Sequence, residues 1–301
     1  MAKLLRTFEP NERGRDFAIG DLHGSIELLE ALLLHLNFDP LVDRMFSVGD
    51  LIDRGPESLR TLALIKESWF NAVLANHEQM MLDAFDDGPM GEYWIPNGGM
   101  WGLQTVSNFL NKRPPIDPEE HELLELLPLV RELPLLITVK QKSGKRVHLL
   151  HAELPPGVGG YLTDADLEDE AMIAELLRSE SREGSFILWG RHLYYQFYKA
   201  DLSRFEKTLR TVEYLGGSKA FNPALGHIVS GHTPVQRPLT IYGQTNIDTC
   251  AFDALRQHPP AWCALTCLNL DTWEFWQATR SGVRQVQPVV VNTESSQGDS
   301  A

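Results

Sequence analysis

The sequence predicts an α/β fold in which functional side chains follow the ends of buried strands. Two observations lead to this prediction: short apolar runs alternate with helical stripes, and the first runs end in Gly-Asp or Asn-His. Strands that alternate with helices form a sheet flanked by helices. Such sheets bind ligands beyond the carboxyl ends of their strands. Residues 16–21, 45–50 and 70–75 are the first predicted strands, and their ends mark the expected site.

Each of these strands precedes a predicted helix. Ser25 is suited to cap a helix that extends to His35, with leucines forming a stripe along one face. Pro56 fits the first turn of a second helix, because proline is favoured at that position. A third helix begins at about Glu78. The polar residues between strand and helix are therefore expected at one edge of the sheet.

The middle of the chain differs from these strand–helix units. Residues 86–118 are rich in Gly, Pro, Asn and Trp and predict a long irregular insertion, a kind of segment that is often functional. Its Trp94 and Trp101 either line a substrate groove or pack in the core. Residues 119–133 predict a helix that Pro128 interrupts.

From residue 134 onward the pattern favours strands. They are predicted at residues 135–140, 147–151, 227–231, 241–248 and 262–270. Residues 288–301 are rich in Ser, Gln, Gly and Asp and predict a disordered tail. No internal repeat or linker divides the rest, so we expect one domain over residues 1–287.

Composition narrows the functional classes. The 301 residues are 43% apolar and 23% charged, as in an ordinary globular protein. Basic residues number 27 and acidic residues 41, which gives a net charge of -14. Surfaces that bind nucleic acid concentrate Lys and Arg, so no nucleic-acid partner is expected. A phosphorylated substrate is compatible with this charge, because bound metal ions can reverse the local sign of a site.

The cysteines and the apolar runs indicate a compartment. Cys250, Cys263 and Cys267 are too few for a disulfide framework and fit a reducing environment. Cys263 and Cys267 lack the spacing of a zinc knuckle, so buried structural thiols are expected. No apolar run approaches the ~20 residues of a membrane span, and the polar N-terminus lacks the apolar core of a secretory signal. We expect a cytoplasmic enzyme with no membrane partner.

Six polar segments follow the apolar strands. They are residues 20–24, 49–55, 76–78, 151–153, 189–191 and 231–234. Together they hold carboxylates, imidazoles, an amide and two arginines, which are costly to gather unless something compensates their charge. A pair of metal ions would provide that compensation.

The order of these segments resembles a known signature. Asp21-Leu-His23, Gly49-Asp50-Leu-Ile-Asp53-Arg54-Gly55 and Asn76-His77-Glu78 are similar to the motifs of metallophosphoesterases. More narrowly, they resemble phage lambda-type and bacterial serine/threonine protein phosphatases. Further matches follow in order at residues 97–101, 151–155, 189–191, 231–234 and 247–249. The resemblance covers about residues 16–270 and implies a calcineurin-like α/β/β/α sandwich of two mixed sheets flanked by helices.

This resemblance implies a binuclear metal centre. The ligands it implies are Asp21, His23 and Asp50 for the first metal, and Asp50, Asn76, His151 and His232 for the second. Three imidazoles, two carboxylates and an amide, with no thiolate, suit Mn, Fe or Zn. The resemblance implies Mn²⁺ as the usual activating ion. A hydroxide that bridges the two metals then attacks phosphorus directly.

The resemblance also assigns the remaining site residues. His77 donates a proton to the leaving group, and Asp53 orients it. Arg54 and Arg191 hold the phosphate, because one guanidinium can bind two oxygens. The implied activity is phosphomonoester hydrolysis, on phosphoserine or phosphothreonine in proteins or on small phosphomonoesters. By contrast, strand alternation points His148 away from the face that His151 is expected to use.

Two other functions are open at this point. Symmetric diadenosine tetraphosphate hydrolases and RNA-cap pyrophosphohydrolases of the same superfamily resemble the chain at the first motif. They typically have Ala-Arg-Gly where Asp53-Arg54-Gly55 stands, and Asn-His-Asp where Asn76-His77-Glu78 stands, so Asp53 and Glu78 favour the phosphatase. A non-catalytic metal-binding scaffold is the other alternative, but it need not keep His77, Asp53 and both arginines together.

Three residues depart from the resemblance. Ala75, Glu153 and Cys250 occupy positions at which the family usually has glycine, although the lambda-type branch has an acidic residue at Glu153. None of the three changes removes an implied ligand. The change at Cys250 affects local packing.

Overall fold

Two β-sheets pack against each other and helices cover their outer faces in the computed structural model. It describes residues 4–154, 162–179, 186–191, 193–195, 222, 224–241 and 243–291. This architecture confirms the predicted α/β/β/α sandwich of two mixed sheets. Within the described ranges, every helix falls short of the length and apolarity that a bilayer crossing requires.

The first sheet has seven strands of mixed direction. In spatial order they are β1 (Leu5–Phe8), β5 (Leu136–Lys140), β6 (Arg146–Leu150), β7 (His227–Ser230), β9 (Gln244–Asn246), β8 (Leu239–Ile241) and β13 (Val289–Val291). Strands β6, β7 and β9 run parallel to one another. Their carboxyl ends therefore meet at one edge.

The second sheet has six strands, in the order β12 (Gly282–Val286), β11 (Phe275–Thr279), β10 (Leu265–Asn269), β2 (Asp16–Ile19), β3 (Arg44–Ser47) and β4 (Phe70–Ala72). Strands β2, β3 and β4 are parallel. Parallel neighbours need a crossover connection, which α1 (Ile26–His35) and α2 (Ser58–Ala63) provide. The carboxyl ends of β2, β3 and β4 form the second half of the edge at which the site is predicted.

The other helices lie mostly between β4 and β5 and between β6 and β7. They are α3 (Asn76–Asp86), α4 (Gly91–Trp94), α5 (Leu103–Leu110), α6 (Pro118–Val130), α7 (Asp164–Leu167), α8 (Glu170–Ser179), α9 (Phe186–Trp189) and α10 (Ala251–Ala254). Short 3₁₀ helices occur at Leu64–Lys66, Ile95–Asn97 and Gly99–Gly102.

The apolar strands are buried on both faces. Along β2, Ala18 points into the layer between the two sheets, whereas Phe17 and Ile19 point towards α1. Successive side chains of a strand alternate between its two faces. A strand covered on both faces therefore appears as the continuous apolar run that marked residues 16–21 in the sequence.

The strands differ from the predictions at their ends. Strands β2, β3 and β4 stop at Ile19, Ser47 and Ala72, two or three residues before their predicted ends, because the following residues form the loops that aim the site side chains. The single strand predicted over 241–248 is wrong. It is the hairpin of β8 and β9, whose turn includes Gly243 in the left-handed region (φ 75°), which glycine adopts readily.

Residues 86–118 are helical rather than irregular. They hold α4, α5 and two 3₁₀ helices packed around the buried Trp94. A Cβ atom added at Gly99 would lie 2.5 Å from the Trp94 ring. The glycines therefore permit close packing. The predicted interruption at Pro128 is also wrong, because α6 continues through this proline to Val130.

Two further expectations need correction. The tail predicted to be disordered over 288–301 begins with strand β13, which pairs with β8. Its three valines suit a pleated sheet edge, and residues 292–301 lie outside the described part. Helix α1 begins at Ile26 and ends at His35 as predicted, but Ser25 makes no side-chain capping bond. The single domain over residues 1–287 stays a prediction.

Candidate metal centre

The six predicted ligands lie where the carboxyl ends of the two sheets meet. Asp21 and His23 follow β2, Asp50 follows β3, Asn76 begins α3 after β4, His151 follows β6, and His232 follows β7. Packing of the sheets brings these edges together. Asp21 and His232, which are 211 residues apart, are in hydrogen-bond contact. The fold therefore gathers the side chains that the sequence singled out.

Five predicted site residues have a left-handed backbone. Their φ angles are 41° at His23, 48° at Asp50, 73° at Asp53, 66° at Arg54 and 67° at His232. Side chains other than glycine rarely adopt this conformation, and each instance costs on the order of 1–3 kcal/mol. Strain concentrated in this way is characteristic of sites where side-chain direction matters more than local stability.

The predicted ligands of the second metal converge on one point. His151 Nε2 lies 2.7 Å from Asn76 Oδ1, 3.1 Å from His232 Nδ1 and 3.4 Å from Asp50 Oδ1. His151 Nδ1 donates to the Val48 carbonyl at 2.8 Å, so Nε2 carries the lone pair. An imidazole lone pair and an amide oxygen are both acceptors. Their close approach is favourable only with a cation between them.

A second trio shares the same Asp50. His23 Nδ1 donates to the Ile52 carbonyl at 2.7 Å, which leaves Nε2 as an acceptor 3.3 Å from Asp50 Oδ2. His77 Nε2 lies 3.9 Å from that carboxylate oxygen. The ligand atoms of His23, Asp50 and His77 all lie within 4.8 Å of one another. Asp50 is thus the shared member of two groups.

Asp21 lies beside the two groups that share Asp50 and belongs to neither of them. Its carboxylate accepts the backbone N–H of His232 at 3.0 Å, and Gly231 permits this approach because a Cβ there would lie 1.9 Å from Asp21 Oδ1. Burial raises the pKa of Asp21 well above its ordinary value, and the charges of Asp248 and Asp50 raise it further. Burial also raises the pKa of Asp248 to about 6. These crowded carboxylates require a nearby positive charge to be ionised together.

The imidazoles are in the form that binds metals. Burial lowers the pKa of His23, His151 and His232 below the ordinary value, so the three rings are neutral at neutral pH. A metal ligand must offer a free lone pair. Neutral imidazoles, buried carboxylates and one amide oxygen therefore fit two divalent cations that share Asp50.

Arg54 lies at the mouth of the site. Its Nη1 donates to His23 Nε2 at 2.8 Å, and its Nη2 donates to His77 Nε2 at 2.9 Å. The Phe252 ring packs against Arg54 and His23. Its centre lies 5.3 Å from the Arg54 guanidinium carbon and 5.4 Å from the centre of the His23 ring. Arg54 is exposed although its neighbours are buried, so an incoming anion can reach it.

Arg191 lies just after α9. Its charge, after burial and the charge of His151, contributes to the lowered pKa of His232. The buried Glu153 carboxylate accepts the N–H groups of Leu193 and Tyr194 at 2.8–2.9 Å and thereby fixes the turn after Arg191. The two predicted phosphate-binding arginines thus lie near different members of the ligand set.

Asp53 and His77 form a hydrogen-bonded pair. His77 Nδ1 donates to Asp53 Oδ2 at 2.6 Å. The indole of Trp101 donates to Asp53 Oδ1 at 2.7 Å, and that of Trp94 lies 3.1 Å from both carboxylate oxygens. Trp94 is fully buried. The sequence left groove lining or core packing open for the two tryptophans, and it missed that both indoles hold Asp53.

Glu78 anchors the loop that carries Asp50. Its carboxylate accepts the backbone N–H groups of Asp50 at 3.1 Å and Leu51 at 2.9 Å. Burial, together with the charge of Asp50, raises the pKa of Glu78 to about 8. This supporting role was visible in the sequence only as the third residue of Asn76-His77-Glu78. Phe252 carried no sequence signal at all.

The residues of the site also lie within the part of the chain that is similar to known proteins. The profile of the family described as calcineurin-like phosphoesterase matches residues 17–236, which include all six predicted ligands. A cold-active protein-tyrosine phosphatase from a psychrophilic Shewanella species superposes with a TM-score of 0.53 at 15% identity, over 95% of this chain and 83% of that one. That likeness concerns the fold alone.

Three curated relatives share more sequence. Serine/threonine-protein phosphatase 2 of Escherichia coli is 40% identical over 46% of this chain and 58% of that protein. Serine/threonine-protein phosphatase 1 of Salmonella typhimurium is 30% identical over 78% of this chain and 86% of that protein. A symmetrical bis(5'-nucleosyl)-tetraphosphatase of Pseudomonas putida is 32% identical over 55% of this chain and 50% of that protein.

The first and third of these matches span less than two thirds of the relative's length. The second match and the family profile each extend over most of this chain. The geometry adds two groups of metal-ligating side chains that share one carboxylate. The chain therefore belongs to the calcineurin-like phosphoesterase family of metal-binding hydrolases.

Proposed function

We propose that this protein is a binuclear-metal phosphomonoesterase that hydrolyses phosphoserine and phosphothreonine in proteins. The observation that carries the proposal is the set of facing acceptors around Asp50, next to the His77–Asp53 pair. The serine/threonine-protein phosphatases of E. coli and S. typhimurium, at 40% and 30% identity, support the substrate class. Small phosphomonoesters are further substrates under this proposal.

The proposed metal ligands are Asp21, His23 and Asp50 for one ion, and Asp50, Asn76, His151 and His232 for the other. We propose Mn²⁺ as the activating ion, because imidazole and oxygen ligands without a thiolate suit it, while Fe and Zn suit the same set. When bound, the two ions acidify a water molecule and offset the charge of the phosphate. We place the activity in the cytoplasm, where free cysteines persist.

The residues of this chain have separate tasks in the reaction. Arg54 and Arg191 hold phosphate oxygens through charge-assisted hydrogen bonds. In its doubly protonated form, with Arg54 turned from Nε2 to the phosphate, His77 donates its Nε2 proton to the leaving serine or threonine oxygen while the ester P–O bond breaks. Asp53 keeps the opposite ring nitrogen protonated, so that Nε2 faces the substrate. Trp94 and Trp101 prevent that carboxylate from turning away.

A nucleotide hydrolase is the second candidate. The similarity to the tetraphosphatase of P. putida, at 32% identity, favours it. The phosphatase is preferred because Asp53 and Glu78 are both built into the site. Asp53 is fully buried and accepts a hydrogen bond from His77, and Glu78 accepts one from the backbone of the Asp50 loop.

A substrate panel tests the proposal. Purified protein with Mn²⁺ is assayed on p-nitrophenyl phosphate, on phosphoserine, phosphothreonine and phosphotyrosine peptides, and on diadenosine tetraphosphate. We expect the highest kcat/KM on the phosphoserine or phosphothreonine peptides, loss of activity with a chelator, and recovery with Mn²⁺. A preference for the dinucleotide would assign the second candidate instead. Activity indifferent to chelator would contradict both.

A further inference from the structure

A second cluster of metal-ligating side chains adjoins the catalytic centre. Cys250, Asp253 and Cys263 each offer one ligand atom, and these atoms lie within 4.8 Å of one another. The exposed fractions of the three residues are 1%, 8% and 2%. Cys250 Sγ lies 3.5 Å from Asp253 Oδ2. A tetrahedral zinc ion, with Zn–S ~2.3 Å and Zn–O ~2.1 Å, separates such atoms by about 3.6 Å.

Backbone contacts hold the cluster together. The Ala264 N–H donates to the Thr249 carbonyl at 2.9 Å, and the Thr249 hydroxyl donates to the Ala264 carbonyl at 2.7 Å. Each cysteine is the neighbour of one member of this pair. The Asp253 N–H donates to the Cys250 carbonyl at 3.1 Å. The fold therefore brings the three ligand atoms together.

Cys250 occupies a backbone conformation that disfavours it. Its φ of 63° lies in the left-handed region. A side chain is costly there, whereas glycine is not. A thiol held at that cost indicates a contribution that glycine cannot make.

Charge and access fit a divalent cation. Arg256 Nε lies 2.5 Å from Asp253 Oδ1, which leaves Oδ2 facing the thiols. Two thiolates and one carboxylate are then balanced by a divalent cation together with Arg256. Cys263 also lines a surface cavity of about 400 Å³ beside the cluster.

We propose that Cys250, Asp253 and Cys263 bind a structural Zn²⁺ ion, distinct from the two cations of the catalytic centre. Two sulfur ligands select zinc over manganese. The ion would fix α10, whose Phe252 packs against His23 and Arg54. The site is a property of the fold and does not depend on the substrate class proposed above.

Cobalt substitution tests this site independently of activity. Co²⁺ is titrated into the reduced, metal-free full-length protein, and the thiolate-to-cobalt charge-transfer band is recorded, since the catalytic ligands include no thiolate. We expect the band to level off at an intensity that corresponds to one thiolate-bound Co²⁺ per chain, whatever the catalytic centre binds, and to disappear when Zn²⁺ is added. Cys250→Gly should abolish it, with Zn²⁺ bound there roughly a hundredfold or more weakly. This variant keeps the left-handed backbone unstrained, so misfolding does not confuse the result.

Three further variants complete the experiment. Cys263→Ser should also remove the band and Asp253→Asn should weaken it, whereas Cys267→Ser, at a fully buried thiol outside the cluster, should leave it unchanged. Zn²⁺ should raise the Tm of the wild type by more than that of Cys250→Gly, in which only the catalytic centre still offers Zn²⁺ ligands. A folded wild type without the band would overturn the proposal, as would a band that survives both Cys250→Gly and Cys263→Ser. A Cys250–Cys263 disulfide found by mass spectrometry in protein purified without reductant would overturn it as well.

Discussion

Strands β6 and β7 each contain one histidine and are followed by a second, and the two members of each pair have different surroundings. His148, within β6, bonds to the Thr138 hydroxyl at 2.9 Å and to Asp164 at 3.0 Å. His227, at the start of β7, bonds to a threonine hydroxyl at 2.8 Å. His151 and His232, beyond the strand ends, face each other at 3.1 Å. A buried histidine is structural where its neighbours complete its hydrogen bonds, and a ligand where its neighbours are also acceptors.

Replacing His151 and His148 by alanine, one at a time, gives the largest expected contrast in activity. His151→Ala removes a proposed ligand that neighbouring side chains cannot replace. We expect its kcat to fall by more than about 10⁴-fold, beyond what general acid catalysis supplies, with fewer than two metal ions bound by mass spectrometry.

His148→Ala is the matched control. It leaves the Thr138 hydroxyl and the Asp164 carboxylate without this partner, so we expect a loss of about 1–3 kcal/mol in the free energy of unfolding. Its kcat should stay close to that of the wild type. If both variants lost activity equally, the distinction between the two ends of β6 would be wrong.

His77→Asn should separate proton transfer from metal binding. The asparagine cannot act as an acid, and we expect kcat to fall by about 10²–10⁴-fold. Both metal ions should be retained, because the proposed ligands are intact. Steady-state kinetics and metal analysis check the two statements. An unchanged kcat would refute the role of His77, and loss of an ion would make it a ligand.

Trp101→Phe should have a smaller effect of a distinctive kind. The change removes the indole N–H that holds Asp53 at 2.7 Å. We expect kcat to fall about 10- to 100-fold, as for other partners that orient a site residue. The loss should be greater for phosphoserine peptide than for p-nitrophenyl phosphate, whose leaving group needs little protonation. Equal losses on both substrates, or similar losses in Trp276→Phe on β11, would indicate a general packing effect.

The smallest effect concerns His227 and pH. Burial, together with the charge of Lys145, lowers the pKa of His227 from 6.5 to about 4. Between these pH values the unfolded chain binds a proton that the folded protein excludes. The stability of the protein is therefore unaffected by His227 above its unfolded pKa of 6.5. It decreases as the pH falls from there towards the folded-state pKa of about 4. His227→Gln should lose less Tm than the wild type between pH 7 and about pH 5. Equal losses would contradict the shifted pKa.

Much of the fold was predictable because local patterns and tertiary packing agree. Residues 16–19 and 44–47 form strands where apolar runs occur, and α1 has its predicted ends. The helices within 86–118 were not predictable, since their glycines pack against Trp94 and composition alone does not distinguish close packing from irregularity. Strand β13 depends on the open edge of β8, a partner that residues 288–301 do not reveal.

The site was predictable to the extent that its residues form ordered motifs. All six proposed ligands and the His77–Asp53 pair lie at one edge, as their positions after the strands indicated. The two tryptophans on Asp53 were not predictable, because an indole in a glycine-rich segment has no characteristic spacing to the carboxylate that it meets. The cluster of Cys250 and Cys263 escaped notice for the same reason. Their proximity arises from the Thr249–Ala264 pairing.

The left-handed loops limit how this protein can be made more heat-resistant. Glycine at His23 or His232 would relax the backbone but remove a proposed metal ligand. The exposed residues Asn37, Asp87 and Lys112 are also left-handed and lie outside the catalytic edge. Directed evolution for thermostability should therefore begin at these three turns, where glycine relieves strain without a penalty in turnover.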